Sequence, residues 1–191
     1  MTARLLVLRP ASPSDRTVIL GLIENAARWL WERKKIGQWR DPWPDQAAHE
    51  ARIDRDLARG RTWMLQDGLA TAATITTDPG SDPLWSEREY QSPALYIRRF
   101  VVSRAYAGRG LGAELLDWAA ATGHHSHDAR FIRVNAWTDN TGLHAYYTSR
   151  GFEQCDPAAV LHHPSRARFQ RATSYRHASS RWQFTEQPRT C

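Results

Sequence analysis

The residues that could do chemistry gather in two places. The first is the run Phe100-Val101-Val102-Ser103-Arg104-Ala105-Tyr106-Ala107-Gly108-Arg109-Gly110-Leu111-Gly112. An apolar strand ends there, a glycine-rich turn follows, and an amphipathic helix over 113–121 begins at once. Glycines in such a turn let backbone N–H groups approach a ligand with no Cβ in the way. The helix behind them offers its unpaired N-terminal N–H groups and the positive end of its dipole. Together they make an anion site suited to a pyrophosphate. A phosphate-bearing cofactor at the carboxyl end of a strand is therefore expected. Two other phosphate binders are excluded. A P-loop needs a Lys-Ser or Lys-Thr pair after its last glycine, and none follows here. The spacing G-x-G-x-x-G fails as well, and a dinucleotide fold would open with its motif near the first strand.

The second place is Trp137-Thr138-Asp139-Asn140-Thr141-Gly142-Leu143-His144-Ala145-Tyr146-Tyr147-Thr148-Ser149-Arg150-Gly151-Phe152. The glycine run resembles the acyl-CoA pyrophosphate loop of the GCN5-related N-acetyltransferase (GNAT) family, [RQ]-x-x-G-x-G/A. The second segment is similar to that family's N-x-x-A-x-x-x-Y-x-x-x-G-F, with Asn140, Tyr147, Gly151 and Phe152 in register. Two motifs in the right order make the resemblance specific to a family of bacterial type. There are two departures. Ala107 stands where the loop motif has Arg or Gln, so Arg104 or Arg109 takes over a phosphate contact. Leu143 replaces the usual small residue.

The resemblance implies acetyl-CoA as cofactor. It would be held by Arg104 and Ala107 through Gly112 (Gly108, Arg109, Gly110 and Leu111 between), by Asn140 and Tyr147, and by the strand edge at Phe100, Val101 and Val102. An exposed edge supplies the backbone groups that an amide-rich pantetheine arm needs. Acetyl transfer from a thioester to an amine needs a neutral amine, a donor to the oxyanion and a proton for the leaving thiolate. Neutralising a lysine-like amine of pKa ~10.4 at pH 7 costs roughly 4 to 5 kcal/mol. By resemblance Tyr147 is the acid that reprotonates the thiolate, since a phenol of pKa ~10 keeps its proton at neutral pH. The competing assignment is a packed helix tyrosine, since Tyr146 is its neighbour. The oxyanion donor is the N–H of Val101 or Val102. For the base, Arg98 and Arg99 occupy the strand where many family members place Glu. Glu87, Glu89, His144 (three residues before Tyr147, on its face) and a water stay open.

Substrate recognition is expected from the first helix and the loop behind it. Trp29, Trp31, Trp39 and Trp43 crowd there, and aromatic walls accept apolar or cationic groups. Trp29, Gln38 and Trp39 are the substrate-binding candidates, Trp29 also reading as core and Trp39 as pocket wall. His124, His125 and His127 fit no zinc spacing and read as a solvated loop beyond a helix ending at Gly123, so no metal is expected.

These residues need a frame to position them. A strand over 4–8 is followed by a helix with Ser12 as cap and Pro13 in its first turn, running to about Lys34 and closed by Gly37. A second helix over 45–58 precedes a hairpin, 62–66 and 69–77, turned by Asp67-Gly68. Residues 78–93 read as loop. A central strand over 95–102, a strand over 131–136, a helix over 140–150 and strands over 152–154 and 167–172 complete the order. The resemblance implies an α/β GNAT fold, a mixed, mostly antiparallel sheet with splayed central strands between helices.

With 191 residues and 41% apolar content, one domain over 1–186 is expected, with a mobile tail at 187–191. No run of 18 apolar residues occurs, the N-terminus lacks a signal-peptide pattern, and two cysteines give no disulfide framework, so a cytoplasmic setting is expected. A net charge of +6 carried by scattered arginines suits an anionic cofactor better than a nucleic acid. The leading expectation is acetyl-CoA-dependent N-acetylation of a small-molecule amine, in a protein that dimerises as its relatives often do. A protein or peptide N-acetyltransferase and a non-catalytic acyl-CoA-binding module are the alternatives. Fold alone does not choose among them.

Overall fold

The computed structural model describes residues 4–175 and 182–188. Among these are eight strands and five α-helices, an α/β chain whose strands pair in both senses. They divide between two compact units. The first takes residues 4–76, 99–112 and 182–188; the second takes 77–98 and 113–175.

The first unit opens with β1 (Arg4–Pro10) and α1 (Arg16–Lys34). Between them a single 3-10 turn, Pro13–Asp15, is braced by Asp15, whose carboxylate accepts from the Ser12 amide at 2.8 Å. Arg9 grips the same carboxylate through two nitrogens, at 2.8 and 2.7 Å. The helix ends at Lys34 as expected, but Lys35 and not Gly37 is its cap. Lys35 takes the left-handed conformation (φ 57°), and the Ile36 amide turns back to Leu30 O, closing the end as a glycine would. Then α2 (Gln46–Ala58) begins under an Asp45 cap. The hairpin follows as read, β2 (Thr62–Asp67) and β3 (Ala70–Asp78), with Gly68 at φ 60° in the turn. β1 runs antiparallel to β2, and β2 antiparallel to β3. A further strand, β8 (Trp182–Glu186), pairs parallel with β1. The alternation Trp-Gln-Phe-Thr-Glu suits a strand, but its partner lies at the other end of the chain. The core of this unit joins Ile19 and Ile23 of α1, Ile53 and Leu57 of α2, Met64 and Val101.

In the second unit, the segment expected to be loop contains a short helix, α3 (Glu87–Tyr90). Ser86 and Glu89 form a capping box there, a signature present in the sequence as Ser-x-x-Glu. The central strand is β4 (Ala94–Val102), which leaves this unit after Arg98. Helix α4 (Leu111–His127) is longer than expected. Gly123 does not end it, since a Cβ there would lie 3.2 Å from the Leu95 Cβ, so the glycine serves close packing. His124, His125 and His127 therefore form the exposed last turn of α4 and not a loop.

β5 (Phe131–Ala136) pairs parallel with β4, but only from Ala94–Phe131 to Ile97–Val134, although both strands continue. α5 (Thr141–Ser149), β6 (Glu153–Cys155) and β7 (Ala167–Ala172) complete the unit, with β7 antiparallel to both β5 and β6. Buried Arg171 on β7 ties it to α4, donating to Leu116 O at 3.0 Å and pairing with Asp117 at 2.9 Å. The tail expected at 187–191 falls partly outside the described residues.

Candidate active site

In the first unit, β4 ends at Val102 and a 3-10 turn, Arg104–Tyr106, leads into the glycine loop. Gly108 and Gly110 hold φ of 75° and 85°, values that cost an L side chain about 1–2 kcal/mol. Space is not what excludes larger residues, because a Cβ at either position would meet nothing within 4 Å. Conformation is. No acceptor among the described residues takes the amides of Gly108, Arg109 or Gly110. These exposed donors and the start of α4 suit an anion that brings its own oxygens, as a pyrophosphate does.

Two contacts pin the loop. The Tyr106 hydroxyl donates to Asp67 at 2.5 Å, and Trp182 Nε1 donates to Arg109 O at 3.0 Å. Neither contact is local: Tyr106 meets a residue of the β2–β3 turn, and Trp182 reaches the loop only because β8 forms. Arg104 lies with its guanidinium 3.7 Å from the Trp29 ring centroid, a cation–π contact. Trp29 is thus half-buried beneath Arg104 and absent from the core.

A cavity of about 400 Å³ borders the same segment, between Gly21, Leu22 and Asn25 of α1 and Val102, Ser103 and Arg104. Val101 is buried, while Phe100 and Val102 are half-buried. Gln38 is buried and Trp39, at φ 64°, packs partly against the core; neither lines this cavity.

The second unit holds Tyr147 and Asn140. Asn140 caps α5, its Oδ1 accepting from the Leu143 amide at 3.1 Å. The Tyr147 ring is 4% exposed, between Phe152 (5.3 Å) and Phe169 (5.7 Å). No group among the described residues hydrogen-bonds its hydroxyl, although the ring is packed as core. Burial, and then Tyr146, push its pKa well above the ordinary phenol value. The group is a proton donor at every working pH. Tyr146 is half-buried alongside it, so the two neighbours have different surroundings.

The candidates for a base fare differently. Burial pushes the Glu89 carboxyl up, but the Ser86 amide and hydroxyl and Arg168 outweigh it and hold it below its usual range. Glu89 is thereby a tied carboxylate, 2.7 Å from Arg168. Glu87 is exposed on α3. His144 shares the Phe169 contact with Tyr147, at 5.3 Å, so the two do share a helix face. Its Nε2 is committed, donating to Trp137 O at 2.8 Å. Arg98 pairs with Asp78 and Asp82 in the second unit. In the first, Arg99, at φ 44°, pairs with buried Asp56. Burial first, then Arg52 and Arg55, lower the Arg99 pKa to about 10.

Comparison with known proteins agrees with the two motifs. The model of the acetyltransferase (GNAT) family matches residues 23–152. The uncharacterized N-acetyltransferase YesJ of Bacillus subtilis is 31% identical over 148 residues, which cover 75% of this chain and 79% of YesJ. A GNAT-family acetyltransferase from Listeria monocytogenes is 25% identical with a TM-score of 0.70, over 90% of this chain and 98% of that one. The PaiA N-acetyltransferase of Thermoplasma acidophilum, solved in complex with coenzyme A, shares the fold with a TM-score of 0.65 at 12% identity, over 90% and 99%.

Proposed function

Because the chain belongs to the acetyltransferase (GNAT) family, whose acyl donor is acetyl-CoA, we propose that it moves the acetyl group directly to the primary amine of a small molecule. The observation that carries this reading is the glycine loop, whose amides at Gly108, Arg109 and Gly110 have no acceptor among the described residues and lead into α4. Those amides and Arg109 bind the pyrophosphate, and the backbone edge of Phe100–Val102 takes the pantetheine amides. The Val101 or Val102 N–H donates to the oxyanion that develops on the thioester carbonyl. As the C–N bond forms and the C–S bond breaks, the Tyr147 hydroxyl gives its proton to the departing sulfur. The proton lost by the amine goes to water or to His144 Nδ1, the basic ring nitrogen while Nε2 donates to Trp137 O; the Glu89 carboxylate is held by Arg168. YesJ is named an N-acetyltransferase, which supports nitrogen as the accepting atom.

Free-thiol release from acetyl-CoA, measured against amines, amino acids, peptides and amine antibiotics, tests the reading. Release with one class of small amine is expected. Release only with peptides would replace the small acceptor by a protein N-terminus or lysine. Silence across the panel, with CoA still raising the melting temperature, would leave a binding module in place of the enzyme.

A further inference from the structure

The second unit contains a cavity of about 670 Å³ that the acetyl-transfer reading does not use. Trp85, Glu89, Phe131, Arg133, Arg168 and Gln170 are among its walls. Strand alternation explains the set. In the β5–β7 ladder Arg133 faces Gln170 and Asn135 faces Arg168, while Val134 faces Phe169. The arginines and Gln170 thus occupy one face, and Phe169, the neighbour of Tyr147, the other. Tyr147 is not among the cavity's walls.

Its distinguishing feature is Arg133. The residue is 2% exposed, yet no carboxylate among the described residues lies within ion-pair distance of it. No Asp or Glu occurs at any position outside the described ranges, so no such side chain is missing from this count. Its partners are neutral: Nη1 donates to Glu89 O at 2.9 Å and to the Tyr96 hydroxyl at 3.1 Å, and Nε reaches Gln170 Oε1 at 3.4 Å. Nη2 has no hydrogen-bond partner among the described residues and is not sealed from the surface. The guanidinium carbon lies 4.6 Å from the Trp85 ring centroid, and Trp85 is itself fixed by a 2.8 Å bond from Nε1 to Asn135 Oδ1.

The nearest wall charges do not neutralise it. Glu89 Oε2 is taken by Arg168 at 2.7 Å and by Ser86. Arg88 and Asp156 also line the cavity, which leaves three guanidiniums against two carboxylates. A buried charge is costly unless it is paired. A planar guanidinium with a free N–H, held against an indole at the wall of a cavity, matches a carboxylate above other ligands of this size.

We propose that this cavity is a carboxylate-binding site in which Arg133 supplies the charge and Trp85 the apolar wall. The carboxylate comes either from the acceptor amine itself or from a separate small acid.

The test is calorimetric titration of the full chain with succinate, glutamate and benzoate, each against its amide (succinamide, glutamine, benzamide). At least one acid binds, its amide binds at least about tenfold more weakly, and Arg133→Met removes about tenfold of the acid's affinity. Tenfold corresponds to about 1.4 kcal/mol, close to the lower limit of about 1.5 kcal/mol for a hydrogen bond to a charged group. A CoA-induced rise in melting temperature shows that the variant has folded. If Arg133→Met does not fold, Gln170→Glu serves, because it places a near-isosteric carboxylate beside Arg133 and is expected to displace the ligand to the same degree. Binding of none of the acids, equal binding of acid and amide, or full affinity in the variant that folds overturns the proposal.

A second arm separates the sources by comparing 4-(aminomethyl)benzoate with benzylamine as acceptors. A KM at least tenfold lower for the acid, abolished by Arg133→Met, puts the carboxylate on the acceptor. Equal KM values with benzoate still bound assign the site to a separate acid. Only this arm rests on the acetyl-transfer reading, so a silent amine panel leaves the titration standing.

Discussion

Tyr146 and Tyr147 are adjacent in sequence and identical in chemistry, so their surroundings must distinguish them. One is half-buried beside Arg150, with the guanidinium 5.5 Å from its ring. The other is packed between Phe152 and Phe169, and its hydroxyl has no hydrogen-bond partner among the described residues. If Tyr147 protonates the thiolate, Tyr147→Phe keeps the ring packing and removes only the proton. Steady-state kinetics should then show kcat down by at least about tenfold, a modest share of the general-acid contribution of about a hundredfold or more. The CoA dissociation constant should be unchanged. Unaltered kcat would return Tyr147 to the core as a packing residue. The sequence made Tyr147 visible through its register with Asn140, Gly151 and Phe152. It could not show that Glu89, a base candidate by type, is spent on Ser86 and Arg168, because those bonds depend on α3 and β7 being in place.

At the scale of elements, what was legible followed local rules. The β2–β3 hairpin is written in Asp67-Gly68, β5 in the run Phe-Ile-Arg-Val, β7 in the alternation Ala-Arg-Phe-Gln, and the α5 start in Asn140. What escaped depended on distant partners or on an overlooked cap. β8 exists only against β1, and α4 runs past Gly123 because Leu95 needs the space a side chain would fill. The glycine loop is a case where local rules sufficed, and it separates strain from charge. Gly110 has φ 85° and open space for a Cβ. Asn tolerates the left-handed region better than other non-glycine residues, and Asp is its near-isostere with a negative charge. Gly110→Asn should weaken CoA binding by less than about threefold, and Gly110→Asp by at least about tenfold, a difference of the size expected for a like charge beside phosphate. Equal losses by calorimetry would mean that backbone strain, and no nearby anion, governs the loop.

For the whole molecule the balance of charge sets the response to acid. The chain carries 26 Lys and Arg against 20 Asp and Glu. Its carboxylates restrain arginines at several places: Asp15 on Arg9, Glu50 on Arg16, Glu89 on Arg168 and Asp56 on Arg99. Asp15 is the clearest. The hydrogen bonds from Arg9, aided by the Ser12 amide and hydroxyl and opposed by burial, hold its pKa down to about 2 against an ordinary 3.8. A carboxylate depressed in the folded state stabilises the fold fully above its unfolded pKa. That contribution is lost as pH falls through the folded value. The window for Asp15 is therefore from roughly pH 5 to pH 2. Each protonation in that window also frees an arginine to repel its neighbours, so the loss adds to a rising positive charge. Thermal melts should show the melting temperature falling steadily across this window. Asp15→Asn, which keeps the shape and removes the titration, should melt lower than the parent at pH 7 and converge with it near pH 2. Parallel curves from pH 7 to pH 2 would place the acid sensitivity in the other carboxylates and make the Arg9–Asp15 pair neutral to stability.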